Sequence, residues 1–375
     1  MDAPFRLIDV EGKPFDRGYS YGAQTRDLIG KAINFYSEVF AQSGMSWSEV
    51  KQAGEIYAER LQLISASLFT EIEGIAQGSG FDIGEIVALN ARTELRYGGQ
   101  ANKDLLSGEG CTGAIAIDNA VDSGRVIHGQ NWDWLSECAD FSVILRIKQE
   151  HGPAILTLVE AGTLARCGLN SNGIAITGNF LKIKDDHKGS GVPAPIFRRE
   201  VLNSGTIRDA ISVVLNSKRS SSINLMISDA SGLAFNFETT PEAIFPLHAD
   251  NDLLVHANHF LSPAAIARYE DIGLQVTPDS LYRDILVRKR LELNIGKLGL
   301  QDFADAFADT RGHPYGVCKH PSAGPGGKLS CTVATVIMDT QAGVLYVAKS
   351  PYNSIQFWRY DFDCSKPSQV ESFEW

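Results

Sequence analysis

Apolar residues in the first ninety positions recur three and four apart, the helical period. From Asp16 onward Leu28, Ala32, Phe35 and Val39, flanked by Ile29, Ile33, Tyr36 and Phe40, form one broad apolar face that Ser43-Gly44 interrupts. Ser46 followed by Glu49 has capping-box spacing and predicts a second helix, with Val50, Tyr57, Leu61, Ile64 and Leu68 as its stripe. Residues 71–77 read as a short helix closed by Gly78 and Gly80. Asp82 caps another through Ile86, Leu89 and Ala91. A short strand precedes these helices in residues 1–12, on Phe5, Leu7, Ile8 and Val10.

After Cys111 the period changes to two and strands are predicted. Residues 111–117 and 125–130 form a hairpin around Asp122, Ser123 and Gly124, followed by strands at 141–149, 154–159 and 173–177. A second group lies at 223–228, 233–238, 243–247 and 253–257, and a third at 332–338, 344–348 and 355–360. Helices are predicted at 195–202, 207–215 (capped by Thr206), 263–269, 281–293 and 303–307. This alternation fits a layered α+β domain. No repeat or Pro-rich linker divides it, so one domain is expected.

The 375 residues are 44% hydrophobic and 21% charged, enough apolar material for a sizeable core. A net charge of −11 with no basic run argues against nucleic acid as a partner. Residues 1–15 lack the basic and apolar regions of a secretion signal, and no apolar run reaches membrane-spanning length. The six cysteines are scattered without metal-type pairing, so a cytoplasmic protein with reduced thiols and no metal is expected.

Candidate chemistry centres on residues 107–134, where a small, glycine-bearing approach leads through Gly110 into Cys111-Thr112 and the hairpin ends in Gln130-Asn131-Trp132-Asp133-Trp134. A lone cysteine is usually a small buried hydrophobe. A cysteine that opens a strand directly after glycine sits instead where the backbone can bend sharply, which suits a nucleophile. The polar, glycine-rich stretch 98–104 reads as a loop ahead of it. His256 and His259 lack the acidic or cysteine companions of a metal site. Asp185-Asp186-His187 reads as a solvated loop, and 322–330 lacks the register of a phosphate loop.

Gly110-Cys111-Thr112 followed by Gln130-Asn131-Trp132-Asp133 resembles the isopenicillin N acyltransferase (acyl-coenzyme A:6-aminopenicillanate acyltransferase) family of cysteine N-terminal-nucleophile hydrolases. Further matches, in order, are Lys13-Pro14-Phe15-Asp16-Arg17-Gly18, Glu71-Ile72-Glu73-Gly74-Ile75-Ala76, Leu89-Asn90-Ala91-Arg92-Thr93-Glu94-Leu95, Glu160-Ala161-Gly162, Gly168-Leu169-Asn170-Ser171-Asn172-Gly173-Ile174 and Val255-His256-Ala257-Asn258-His259. The resemblance implies a four-layer αββα sandwich made as an inactive precursor. That precursor cuts itself between Gly110 and Cys111 into a helical segment, 1–110, and a chain 111–375 that stays with it. It also implies Cys111 as nucleophile, Asn258 as oxyanion donor and Asp133 as electrostatic support, with Thr112 and Asn131 as weaker positioners. In the family an arginine before the late strand partners the aspartate. Here Leu329 stands in its place, so either Lys328 substitutes or the pairing is absent.

In such an enzyme the nucleophile's own α-amine is the base. Its reference pKa of about 7.7–8.0 leaves a useful neutral share near pH 7, whereas a free thiol needs help to ionise. The expected substrate is a small amide or an acyl-CoA thioester, with no bound cofactor. The acyl group passes from Cys111 to water or an amine. Bile-salt and penicillin V hydrolases fit less well, because their cysteine follows a short leader. A papain-like enzyme lacks its local signature here. A catalytically silent, unprocessed binding protein of the same fold is the alternative from another class.

Overall fold

The computed structural model describes residues 3–98, 110–122, 124–184, 186, 191–324 and 327–373. Most of the stretch 98–104, Ser107 to Glu109, Ser123, Asp185 and His187 therefore lie outside the described residues. The chain opens with β1 (Arg6–Gly12) and runs through α1 (Pro14–Gln24), α2 (Arg26–Gln42), α3 (Trp47–Ile64), α4 (Ala66–Ser79), α5 (Ile83–Asn90) and α6 (Arg92–Gly98). The hairpin β2 (Gly110–Ala116) and β3 (Ile127–Leu135) follows. After it come β4 (Ser142–Gln149), β5 (Ile155–Glu160), β6 (Cys167–Asn170), β7 (Ala175–Phe180), α7 (Ala194–Leu202) and α8 (Ile207–Asn216). The remainder is β8 (Ile223–Ser228), β9 (Ala234–Thr239), β10 (Ile244–Leu247), β11 (Leu253–His256), α9 (Pro263–Arg268), α10 (Ser280–Glu292), α11 (Leu300–Phe307), β12 (Ser322–Ala323), β13 (Leu329–Asp339), β14 (Val344–Lys349), β15 (Trp358–Asp361) and β16 (Ser368–Gln369).

Local chemistry accounts for the helix starts. Ser46 and Glu49 form a full capping box on α3, and on α5 the Glu85 carboxylate accepts Asp82 N–H at 3.0 Å. The long helix expected up to Ser43 is two helices, because Thr25 turns its hydroxyl onto the Tyr21 carbonyl and leaves helical geometry. The helix expected at 71–77 is longer at both ends and takes Leu68 from the preceding stripe. Gly78 does not close it. A side chain at Gly18, Gly22, Gly74 or Gly78 would collide with backbone of the facing helix, so these glycines let α1 and α4 touch. Gly80, at φ +74°, is the cap.

Among the described residues the strands form two sheets in the orders β1-β4-β5-β6-β7-β8-β9-β10 and β11-β2-β3-β13-β14-β15-β16, with β12 beside β13. The β1–β4 pair is parallel and the other ladders are antiparallel. The sheets face each other through polar pairs. Gln130 reaches Gly178 O and Asn179, and buried His128 bonds Ser228 and Thr177. Helices α10 and α11 pack Val287, Leu291, Phe303 and Phe307 on the outer face of the second sheet. Helices of the N-terminal segment and α7 cover the first. The result is a four-layer αββα sandwich of the α+β class. Glu71 on α4, buried, takes Arg17 at 2.6 Å and both ends of the Arg199 fork at 3.0 Å, tying α1, α4 and α7 into one core.

Candidate active site

Strand β2 lies inside the second sheet, between β11 and β3. Its register sets Gly110 opposite Asp133, Cys111 opposite Trp132 and Thr112 opposite Asn131. Because side chains alternate along a strand, successive pairs point to opposite faces. Ala114 and Ala116 pack with α10 and α11, so Gly110, Thr112, Asn131 and Asp133 share the helix-facing side. Cys111, Gln130 and Trp132 point between the sheets. The thiol and the aspartate thus meet only at the strand end.

Strand β11 pairs His256 with Gly113, which brings Asn258 level with Cys111. The Cys111 backbone N–H donates to Asn258 Oδ1 at 2.7 Å, and Arg283 Nη2 donates to the same oxygen at 2.8 Å. Asn258 Nδ2 donates to Phe180 O at 2.9 Å. Two donors on one side and a carbonyl on the other fix the amide's orientation. Its carbonyl oxygen faces Cys111, and one amide hydrogen remains for a further acceptor. His256 and His259 support this turn. His256 pairs with buried Glu238 at 2.8 Å, and His259 bonds Ser280, whose hydroxyl accepts Asn258 N–H. No cluster of three metal-ligating side chains occurs among the described residues.

Cys111 is 5% exposed. Burial pushes its thiol pKa up. The guanidinium of Arg166, the backbone N–H of Asp133 and Arg198 pull it back, while the Asp133 carboxylate adds to the rise. Arg166 Nη2 lies 3.6 Å from Sγ, and its guanidinium sits over the Trp132 ring 3.9 Å from the centroid. Nearby, Arg92, Glu94, Phe180, Arg198 and Ile223 line a narrow cavity of about 60 Å³ that reaches the thiol.

Behind the strand, Asp133 accepts Thr332 Oγ1 at 2.6 Å, and its other oxygen is buried with no hydrogen-bond partner among the described residues. Burial raises its pKa against the pull of Arg283 and Lys319. Arg283, fully buried, donates to Cys111 O, Thr112 Oγ1 and Asn258 Oδ1, and pairs with Asp279 at 2.7 Å. Asp279 and Asp133 overcome the effect of burial and raise its pKa. Sequence reasoning missed Arg283, although it lies on the buried stripe Ser280, Arg283, Val287 and Leu291 of α10. An arginine on a buried stripe is the signal that was available.

The structure brings Cys111, Thr112, Asp133 and Asn258 together, and of the two alternatives for Lys328 it has the one without the pairing. Lys328 is not the partner of Asp133. Its ammonium lies over the Phe35 ring, 3.0 Å from Glu38 and 3.7 Å from Glu137, so the cations beside Asp133 are Arg283 and Lys319. The Asn131 side chain is engaged on the helix-facing side of the sheet. Its amide donates to Phe307 O and Val317 O and accepts Thr335 Oγ1, clamping α11 to the sheet.

Residues 120–349, more than half of the chain and including Asp133, Asn258 and Arg283, match the family model of acyl-coenzyme A:6-aminopenicillanic acid acyl-transferase. The chain is 28% identical over 317 residues to the acyl-coenzyme A:6-aminopenicillanic-acid-acyltransferase 40 kDa form of Emericella nidulans, covering 83% of this chain and 84% of that one. Among solved structures, a mutant of the conjugated bile acid hydrolase from Clostridium perfringens aligns with TM-score 0.46 and 15% identity, over 70% of this chain and 97% of that one. The N-acylethanolamine-hydrolyzing acid amidase ortholog of Caenorhabditis elegans aligns with TM-score 0.43 and 14% identity, over 61% and 93%. Among the described residues no helix is long and apolar enough to cross a membrane. From the family match, this chain belongs to the acyl-coenzyme A:6-aminopenicillanic acid acyl-transferase family.

Proposed function

We propose that this chain is a self-processing cysteine acyltransferase or amide hydrolase. The observation that carries the reading is the grip on both sides of the Cys111 backbone. Its N–H is held by Asn258 and its carbonyl by Arg283, while Sγ is left at the cavity. In the uncut chain Sγ attacks the Gly110 carbonyl carbon and the C–N bond to Cys111 breaks. The nitrogen takes a proton and Gly110 becomes a thioester. Water hydrolyses that thioester, leaving the Gly110 carboxylate, a free thiol and a new α-amine. Asn258 Oδ1 already holds that nitrogen, so the amine stays beside the thiol and takes its proton in each later turnover.

A substrate amide or acyl-CoA thioester then acylates Sγ, and its amine or thiol leaves with the proton. Water or an acceptor amine attacks the acyl-enzyme. Asn258's spare amide hydrogen and the Asp133 backbone N–H serve the oxyanion; one such donor is worth about 3 kcal/mol. Thr112, Asp133 and Arg283 hold the strand end from behind. The near-complete burial of Cys111 fits a precursor that opens on cleavage.

Intact mass and N-terminal sequencing of wild type and Cys111→Ala test the reading. It expects a fragment beginning at Cys111 in wild type alone. A wild-type chain that stays whole for days across pH values of about 6 to 9, with no thiol reactivity, overturns it in favour of a silent binding protein.

A further inference from the structure

The cavity beside Cys111 holds two guanidinium groups that no carboxylate among the described residues pairs with directly. Arg198, on α7, is 7% exposed, and its Nε is buried with no hydrogen-bond partner among the described residues. It runs close under Gly178, where an added Cβ would lie 2.8 Å from Nη2. Arg166 is half-buried, its guanidinium over the Trp132 ring, with its own Nε buried and without a hydrogen-bond partner among the described residues. Neither forms an ion pair among the described residues. Burial, then the like charge of Arg166, depress the Arg198 pKa to about 10. Of the other charged groups on the lining, Asp133 accepts Thr332 Oγ1 and has Arg283 and Lys319 as its cations. Arg92 is paired with Glu160. Glu94 spends Oε1 on Ala194 N–H, and burial raises its pKa to about 7, so it is only partly ionised at neutral pH.

Buried charges are normally paired, and forked donors left open in a pocket match a carboxylate. We propose that Arg166 and Arg198 form the binding site for a carboxylate carried by the substrate, a few bonds from the carbonyl that Cys111 attacks. This deepens the functional reading above and rests on it. Closeness to the reacting carbon follows from the 3.6 Å between Arg166 Nη2 and Sγ. The same distance argues against a coenzyme A phosphate as occupant, since the whole pantetheine arm separates that phosphate from the thioester. Stacking on Trp132 fixes the plane of one fork, so the anion orients the substrate as well as holding it.

The test is turnover by the processed enzyme of two matched pairs. N-hexanoylglycine against N-hexanoylglycinamide places the carboxylate on the leaving amine. Glutaryl- against pentanoyl-p-nitroanilide places it on the acyl group. The charged member of one pair is expected to have kcat/KM higher by about 10- to 100-fold, the worth of a charge-assisted fork. That pair identifies the side on which the carboxylate sits. Arg198→Met and, separately, Arg166→Met should bring this ratio towards one, and Arg198→Lys should restore part of it. Having two sites in different elements guards against one variant failing to fold.

Ratios near one in wild type, or ratios unmoved by either substitution, overturn the proposal while leaving the functional reading intact. If neither pair is turned over and the wild-type chain also stays uncut, that reading fails instead. Calorimetric titration of N-hexanoylglycine into the wild-type chain, which in that case does not consume it, then decides the anion site. Saturable binding lost with Arg198→Met supports it, and absence of binding overturns it.

Discussion

Arg283, from a helix far downstream in the chain, is the largest opposing charge acting on Asp133 behind the nucleophile. A Cβ built on Gly110 would lie 2.9 Å from Asp133 Oδ2 and 3.6 Å from Arg283 Nη2, so the two groups are no more than about 6.5 Å apart (2.9 Å plus 3.6 Å). At an effective dielectric near 20, unit charges at that separation attract by about 2.5 kcal/mol. A double-mutant cycle isolates this energy. The variants Asp133→Asn, Arg283→Met and their combination, all in a Cys111→Ala background to keep every chain uncut, would be unfolded in urea. Arg283→Met alone should cost about 3–5 kcal/mol, because it leaves buried carboxylates without their cation. The double variant should be more stable than additivity predicts by about 2 kcal/mol. Asp279, also bonded to Arg283, loses its partner in both arms and cancels. Additivity within about 0.5 kcal/mol, the ordinary error for independent sites, would refute the pairing and leave Lys319 as the cation that matters.

Two further expectations follow from the same geometry. Gly110→Ala forces its Cβ against Asp133 Oδ2 at 2.9 Å, displacing the strand end by a few tenths of an ångström. Self-cleavage, followed by intact mass during cell-free synthesis, should slow by about 10-fold or more, since an ångström of misplacement costs about 100-fold; an unchanged rate refutes it. Glu94, buried with a pKa raised from 4.5 to about 7, keeps its proton in the folded state while the unfolded chain loses it. Stability therefore declines as pH rises from about 4.5 to 7, by up to about 3 kcal/mol, and Glu94→Gln should flatten that decline in urea titrations across this range.

Much of the architecture is written in short-range pattern. The capping pairs Ser46/Glu49 and Asp82/Glu85, the switch from helical to alternating period near Cys111, and the turn at residues 229–232 each need only a few neighbouring residues to act. The hairpin register that faces Cys111 towards Trp132 is equally local. The strand β6 escaped notice because its four residues, Cys167–Asn170, hold no β-branched side chain and owe their state to β5 and β7 on either side.

The surroundings of the nucleophile depend on what arrives from far along the chain. Asn258 was legible as a site residue, but the direction of its amide follows from Cys111, Arg283 and Phe180 together. Lys328 sits beside the expected position in sequence yet turns outward to Glu38 and Glu137. Arg166, Arg198 and Arg283 look like ordinary charged residues until the fold gathers them around Cys111, the last two buried and Arg166 half-buried. A hydrophobic period records only which face of an element is covered. Which charge lies under that cover, and what answers it, is a long-range Coulomb and desolvation question that only the packed structure decides.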